Sequence, residues 1–81
     1  MILMRGWDRI WMSHHDWDQV ASRVTSPSLV ERIEKGLMFQ RFDPVAVEVT
    51  PSEEATLVSL VQDAGGHVID AGQARREGHL V

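Results

Sequence analysis

The chain has 81 residues, 43% of them apolar and 25% charged, with a formal net charge of −4 and no cysteine. That length makes a single domain (1–81) whose core is thin, since chains this short bury roughly 60% of their unfolded surface. The missing cysteine excludes disulfides, thiolate metal sites and cysteine nucleophiles. The apolar start Met1-Ile2-Leu3-Met4 is broken at Arg5 and Gly6, far too short for a signal core or a membrane span, so the expected location is cytoplasmic with no membrane partner.

Taken in chain order, Ile2–Met4 and Arg9–Met12 read as two short strands, with a helix as the alternative because Trp7 and Trp11 are four apart. The first firm helix starts after Ser13. Ser13 caps it, and Asp16 and Asp18 suit the positive end of its dipole. Trp17, Val20, Ala21 and Val24 give it one apolar stripe. Ser26-Pro27 opens a second helix, with serine as cap and proline in the first turn. Leu29, Val30, Ile33 and Leu37 form its inner face, Glu31 and Lys35 pair along it, and Gly36 is the expected left-handed terminator.

Leu37–Phe42 is apolar with Gln40 and Arg41 interspersed, and Asp43-Pro44 reads as a turn. Val45-Ala46-Val47-Glu48-Val49 alternates as a strand should. Thr50-Pro51-Ser52-Glu53 then carries a capping box for a helix over 51–64, with Leu57, Leu60, Val61 and Ala64 inward. Gly65-Gly66 ends that helix, His67–Asp70 is a strand, Ala71–Gly78 a loop, and His79–Val81 a last edge strand. The expected fold is α+β: two helices in the first half, and a βαβ unit from 45–49, 51–64 and 67–70 completing a small mixed sheet.

Charge is distributed unevenly. Residues 1–25 sum to zero, 26–42 to +1 and 71–81 to +1, whereas 43–70 carry six acids and no Lys or Arg. A negative face repels phosphate and favours basic partners. Glu53 and Glu54 are explained by the helix start, Glu48 by the outward side of a strand and Asp43 by a turn. Asp63, near a helix C-terminus, has no such reason, and Asp70 ends a strand.

Catalytic and metal chemistry find little to stand on. His14 and Asp18 share a helical face, but adjacent His14 and His15 diverge by about 100° and do not readily share one ion. No HxxxH, HxH or HExxH spacing occurs, and Ser, His and Asp sit in no nucleophile motif. Gly65-Gly66 follows a helix, whereas a phosphate loop must precede one. The expectation is no enzyme, no cofactor and no metal. Trp17 belongs to the core; Trp7 and Trp11 divide between core volume and an interface, where tryptophan is enriched.

Gln19–Gly36, reading QVASRVTSPSLVERIEKG, resembles the helix-turn-helix of small bacterial and phage repressors at Ala21, Thr25-Ser26, Ser28 and Ile33-Glu34-Lys35-Gly36. The match spans about 18 residues and departs at the turn, which is one residue short and lacks glycine. The resemblance implies DNA binding through Arg23, Ser28 and Arg32, in the manner of a recognition helix. The basic stripe expected of a DNA binder is absent. Gly65-Gly66-His67-Val68 with His79-Leu80-Val81 is loosely similar to the middle of a BRCT domain, a local likeness that implies no phosphopeptide site.

The expected function is therefore a small non-catalytic regulator or inhibitor of bacterial or phage type that acts by protein–protein binding. Its acidic face, Glu48, Glu54, Asp63 and Asp70 with Trp7, would meet a basic partner. One concrete form is an inhibitor of a nucleic-acid-handling complex, such as an anti-CRISPR. The alternative is the helix-turn-helix regulator. A homodimer is expected from the small core and from exposed strand edges at 45–49 and 79–81.

Overall fold

The computed structural model describes residues 1–80. Strands β1 (Ile2–Arg5) and β2 (Arg9–Met12) form a hairpin, followed by helices α1 (His14–Ala21) and α2 (Pro27–Phe39). Strand β3 (Val45–Glu48), helix α3 (Pro51–Asp63), strand β4 (His67–Asp70) and the short helix α4 (Ala71–Arg76) complete the chain. The architecture is α+β around one four-stranded mixed sheet of order β3-β2-β1-β4.

Strand register explains the two apolar layers. Alternation sends Leu3, Ile10, Met12, Val45 and Val47 to one face, where they pack with Trp17 and Val20 of α1, Leu29 and Ile33 of α2, and Leu57 and Val61 of α3. Met4 points to the opposite face with Trp11 and Ile69, beneath Ala71 and Ala74 of α4 and Leu80. The guanidinium of Arg75 lies 5.8 Å from the Trp11 ring centre, within cation–π range. Gly6 makes room for that ring, since a Cβ there would fall 2.6 Å from it.

Helix starts follow the sequence closely. The Ser13 hydroxyl accepts from the Asp16 N–H at 3.1 Å, Ser26 caps α2 with Pro27 in its first turn, and Thr50 and Glu53 form the full capping box of α3. Gly65, at φ 78°, ends α3 in the left-handed region.

Five expectations are corrected. Strands β3 and β4 run in the same direction but are not neighbours: β3 pairs antiparallel with β2, β4 pairs parallel with β1, and the hairpin fills the space between. The βαβ unit is thus split, with β1 and β2 in the middle of the sheet and β3 and β4 at its edges. Gly36 does not end α2. It is buried inside the helix against β3, where an added Cβ would sit 3.2 Å from Val45 and 3.3 Å from Val47. The expected loop 71–78 contains α4, nucleated by Asp70, whose carboxylate accepts from the N–H groups of Gly72 and Gln73. His79 and Leu80 form no strand, and Val81, the rest of that expected strand, lies outside the described residues. Ala64, expected inside, is exposed at the cap of α3.

Candidate protein-binding surface

Strand directions sort the expected site residues to the two ends of the sheet. Antiparallel β1 and β2 place Arg5, Trp7 and Arg9 at one end; register adds Glu48 opposite Arg9 and Asp70 opposite Arg5. Glu54, in the first turn of α3, reaches the same end beside Arg5. Asp63, at the far end of α3, lines a different cleft with Met1, His15 and Arg23. Four of the five residues expected to bind a partner therefore share one end, and Asp63 does not join them.

At that end the acids are answered from other parts of the chain. Arg5 lies 3.8 Å from Glu54, and Arg9 lies 3.8 Å from Glu48. Arg32 makes a two-pronged contact with Glu53, one prong at 2.9 Å, and also donates to the Glu48 carbonyl at 2.8 Å. This guanidinium, aided by the Thr50 N–H, holds the Glu53 carboxyl down at about 2. Asp70 is committed to the α4 cap. The segment 43–70 has no base of its own, but the fold brings Arg5, Arg9 and Arg32 to it.

Of the three residues implied by the repressor resemblance, Arg23 and Ser28 are exposed, while Arg32 is held in the contacts just described. Trp7, at the β1–β2 turn, is 99% exposed. Trp17 is fully buried and donates its indole N–H to the Val45 carbonyl at 2.9 Å.

The opposite end has a different character. There α2 finishes in Met38 and Phe39, 73% and 75% exposed, and the following turn carries Phe42 at 84%. Three large apolar side chains within residues 38–42 face solvent around Arg41, also exposed. Isolated exposed apolar residues are ordinary, whereas a contiguous exposed apolar patch is the usual mark of an interaction surface. Sequence reading noted this apolar segment and missed its exposure, because α2 continues past Gly36 and carries Met38 and Phe39 beyond the sheet.

The backbone beneath that run is fixed. Gln40 uses its side-chain amide as a short extra strand: Nε2 donates to the Ala46 carbonyl at 2.7 Å, and Oε1 accepts from the Ala46 N–H at 2.8 Å. With Arg32 on the Glu48 carbonyl, three outward backbone groups of β3 are already satisfied. The β3 edge is thereby closed to strand pairing, which removes this edge from the grounds for a dimer. At the other edge, His67 N–H turns inward to the Met1 carbonyl, so alternation turns the Val68 N–H and C=O outward.

His14 anchors the same segment. Its backbone N–H donates to Asp43 Oδ1 at 2.7 Å, its ring Nδ1 meets that same oxygen, and its Nε2 lies 2.6 Å from the Gln40 carbonyl. The carboxylate and the carbonyl oxygen both accept, which raises the His14 pKa above its ordinary value. The backbone and ring donors of His14 in turn lower that of Asp43. Among the described residues, no group of three His, Asp or Glu is placed to hold a metal ion. Among the same residues no helix is long and apolar enough to cross a membrane. Comparison with protein-family models, with curated proteins and with solved structures found no match.

Proposed function

We infer that this protein is a small regulator or inhibitor that works by binding another protein, without catalysis. The observation that carries the reading is the exposed run Met38, Phe39 and Phe42 on a backbone pinned by Gln40 and His14. A backbone already held loses little freedom on binding, which favours affinity. A cleft of about 740 Å³ between α1 and α3 is open and lined mainly by polar groups, a poor enclosure for chemistry that must exclude water.

The acidic end is the second contact region in this reading, with Trp7 as an aromatic anchor and Glu48 and Glu54 available to a basic partner. Its charge is moderated by Arg5 and Arg9, so it steers association more than it supplies affinity. A DNA-binding role is less favoured, since Arg32 would have to abandon Glu53 to reach a phosphate or base. Inhibition of a nucleic-acid-handling complex remains one concrete form of the reading.

The test is affinity capture from a bacterial lysate at low and high salt, with the wild type, the double variant Phe39→Ser/Phe42→Ser and the double variant Glu48→Lys/Glu54→Lys. A protein partner should be retained by the wild type and lost by the phenylalanine variant, with a weaker, salt-dependent loss in the charge variant. Recovery of duplex DNA alone would overturn the reading.

A further inference from the structure

The apolar run is tied to the body of the protein at Gln40 and Asp43, the residues that bracket Arg41 and Phe42. Both residues meet one imidazole, beside ties that no proton governs: the Gln40 side chain on Ala46 and the His14 backbone N–H on Asp43. Asp43 presents a carboxylate oxygen to Nδ1, and Gln40 presents a carbonyl oxygen to Nε2 at 2.6 Å. Neither acceptor carries a proton to give. Only the imidazolium, with a proton on each nitrogen, can donate to both at once. A neutral ring keeps one donor and leaves its other nitrogen facing an oxygen lone pair.

We propose that His14 is a proton-operated latch: its imidazolium clamps residues 40–43 and presents Phe42 for binding, and loss of one proton loosens the segment. The proposal rests on the protein-binding reading and adds its regulation. Arg41 and Phe42 lie between the two clamped residues, so loosening reaches them first. The clamped form is the binding-competent one, because it has already lost the freedom that binding would otherwise remove.

The charged surroundings are simple. Asp43 is the carboxylate in contact with the ring. Asp16, on the same helix, and His79, from the C-terminal segment, line a cleft of about 400 Å³ with Asp43 and Met1. His15 and Asp18 flank the ring along α1, and Arg41 is the charged residue beside Gln40. The raised pKa of His14 agrees with the two acceptors that the geometry shows.

The sign follows from the two shifts. His14 binds its proton more tightly folded than unfolded, so its contribution is complete below its ordinary 6.5 and is lost as pH rises through the higher folded value. Asp43 is shifted down, so its share is present above its ordinary 3.8 and is lost as pH falls through the lower folded value. The clamp is at full strength between about 3.8 and 6.5 and loosens as pH rises through the raised His14 value.

The experiment is an NMR titration of the isolated protein from pH 5 to 9, following the His14 ring and the backbone amides of Arg41, Phe42 and Asp43. The amides should move with the same midpoint as the ring, and their heteronuclear NOE values should fall as the ring deprotonates. In Asp43→Asn the ring midpoint should drop and the amide transition should drop with it. In His14→Gln the transition should vanish. Amides that stay fixed while the ring titrates, or that keep their transition in His14→Gln, would overturn the latch. Such a result leaves the protein-binding reading intact, since that reading is judged by capture with the phenylalanine variant.

Discussion

The two ends of the sheet treat their side chains in opposite ways. At one end the charges are paired or used: Arg5 with Glu54, Arg9 with Glu48, Arg32 with Glu53, and Asp70 as the cap of α4. At the other end Met38, Phe39 and Phe42 lie exposed while the backbone under them is held. Five of the six acids that stand out in the linear sequence, all but Asp63, therefore have structural work. What the fold leaves unsatisfied is apolar surface. An unbalanced stretch of sequence is a poor guide to an unbalanced stretch of surface when its partners come from elsewhere in the chain.

Removing the pairing at the charged end should cost the most. Arg32→Met leaves Glu53, whose side chain is 16% exposed, without its guanidinium, and frees the Glu48 carbonyl. Hydrogen bonds to charged groups contribute about 1.5–3 kcal/mol, so a loss of about 2 kcal/mol is expected in chemical denaturation. The same pair sets an acid limit. Glu53, held at about 2 against an ordinary 4.5, gives stability that is complete above 4.5 and disappears as pH falls toward 2. A denaturation series in Arg32→Met should show a shallower dependence over that range.

Gln40→Ala comes next, at about 1–2 kcal/mol for two lost hydrogen bonds. It should also uncover the Ala46 N–H and C=O and thus open the β3 edge. Light scattering should then show more self-association than in the wild type, whereas an unchanged mass would mean that Gln40 does not guard the edge. Asp70→Ala, which removes the α4 cap, should cost about 1 kcal/mol. The effect should be local, seen as lost helical shifts over 71–76.

Much of the fold was legible because its signals are local. Ser13, Ser26 and the Thr50–Glu53 capping box fix three helix starts within hydrogen-bond reach along the chain. The alternating valines of β3 fix its buried face. Strand order was not legible, because β3 and β4 gain their partners from the hairpin at the far end of the sequence. Gly36 was misread for a related reason: its lack of a side chain serves the close approach of α2 to β3, a contact with no trace in the helix itself. Asp70 was readable as the end of a strand but not as the cap of a six-residue helix, whose composition is too short to signal. At the site, the acids were visible and their arginine partners were not. Phe39 and Phe42 were visible as apolar residues, but their exposure depends on where α2 stops relative to the sheet.

The smallest expected effect on the fold should be the most telling for function. Phe39→Ser/Phe42→Ser replaces exposed side chains, so stability should change by no more than about 0.5 kcal/mol. The direct measurement is the affinity of this double variant for the partner captured by the wild type, set beside that of Glu48→Lys/Glu54→Lys at two salt concentrations. The account predicts that the folded phenylalanine variant loses binding at both salt concentrations, while the charge variant weakens mainly at low salt. Full binding by the phenylalanine variant would contradict it.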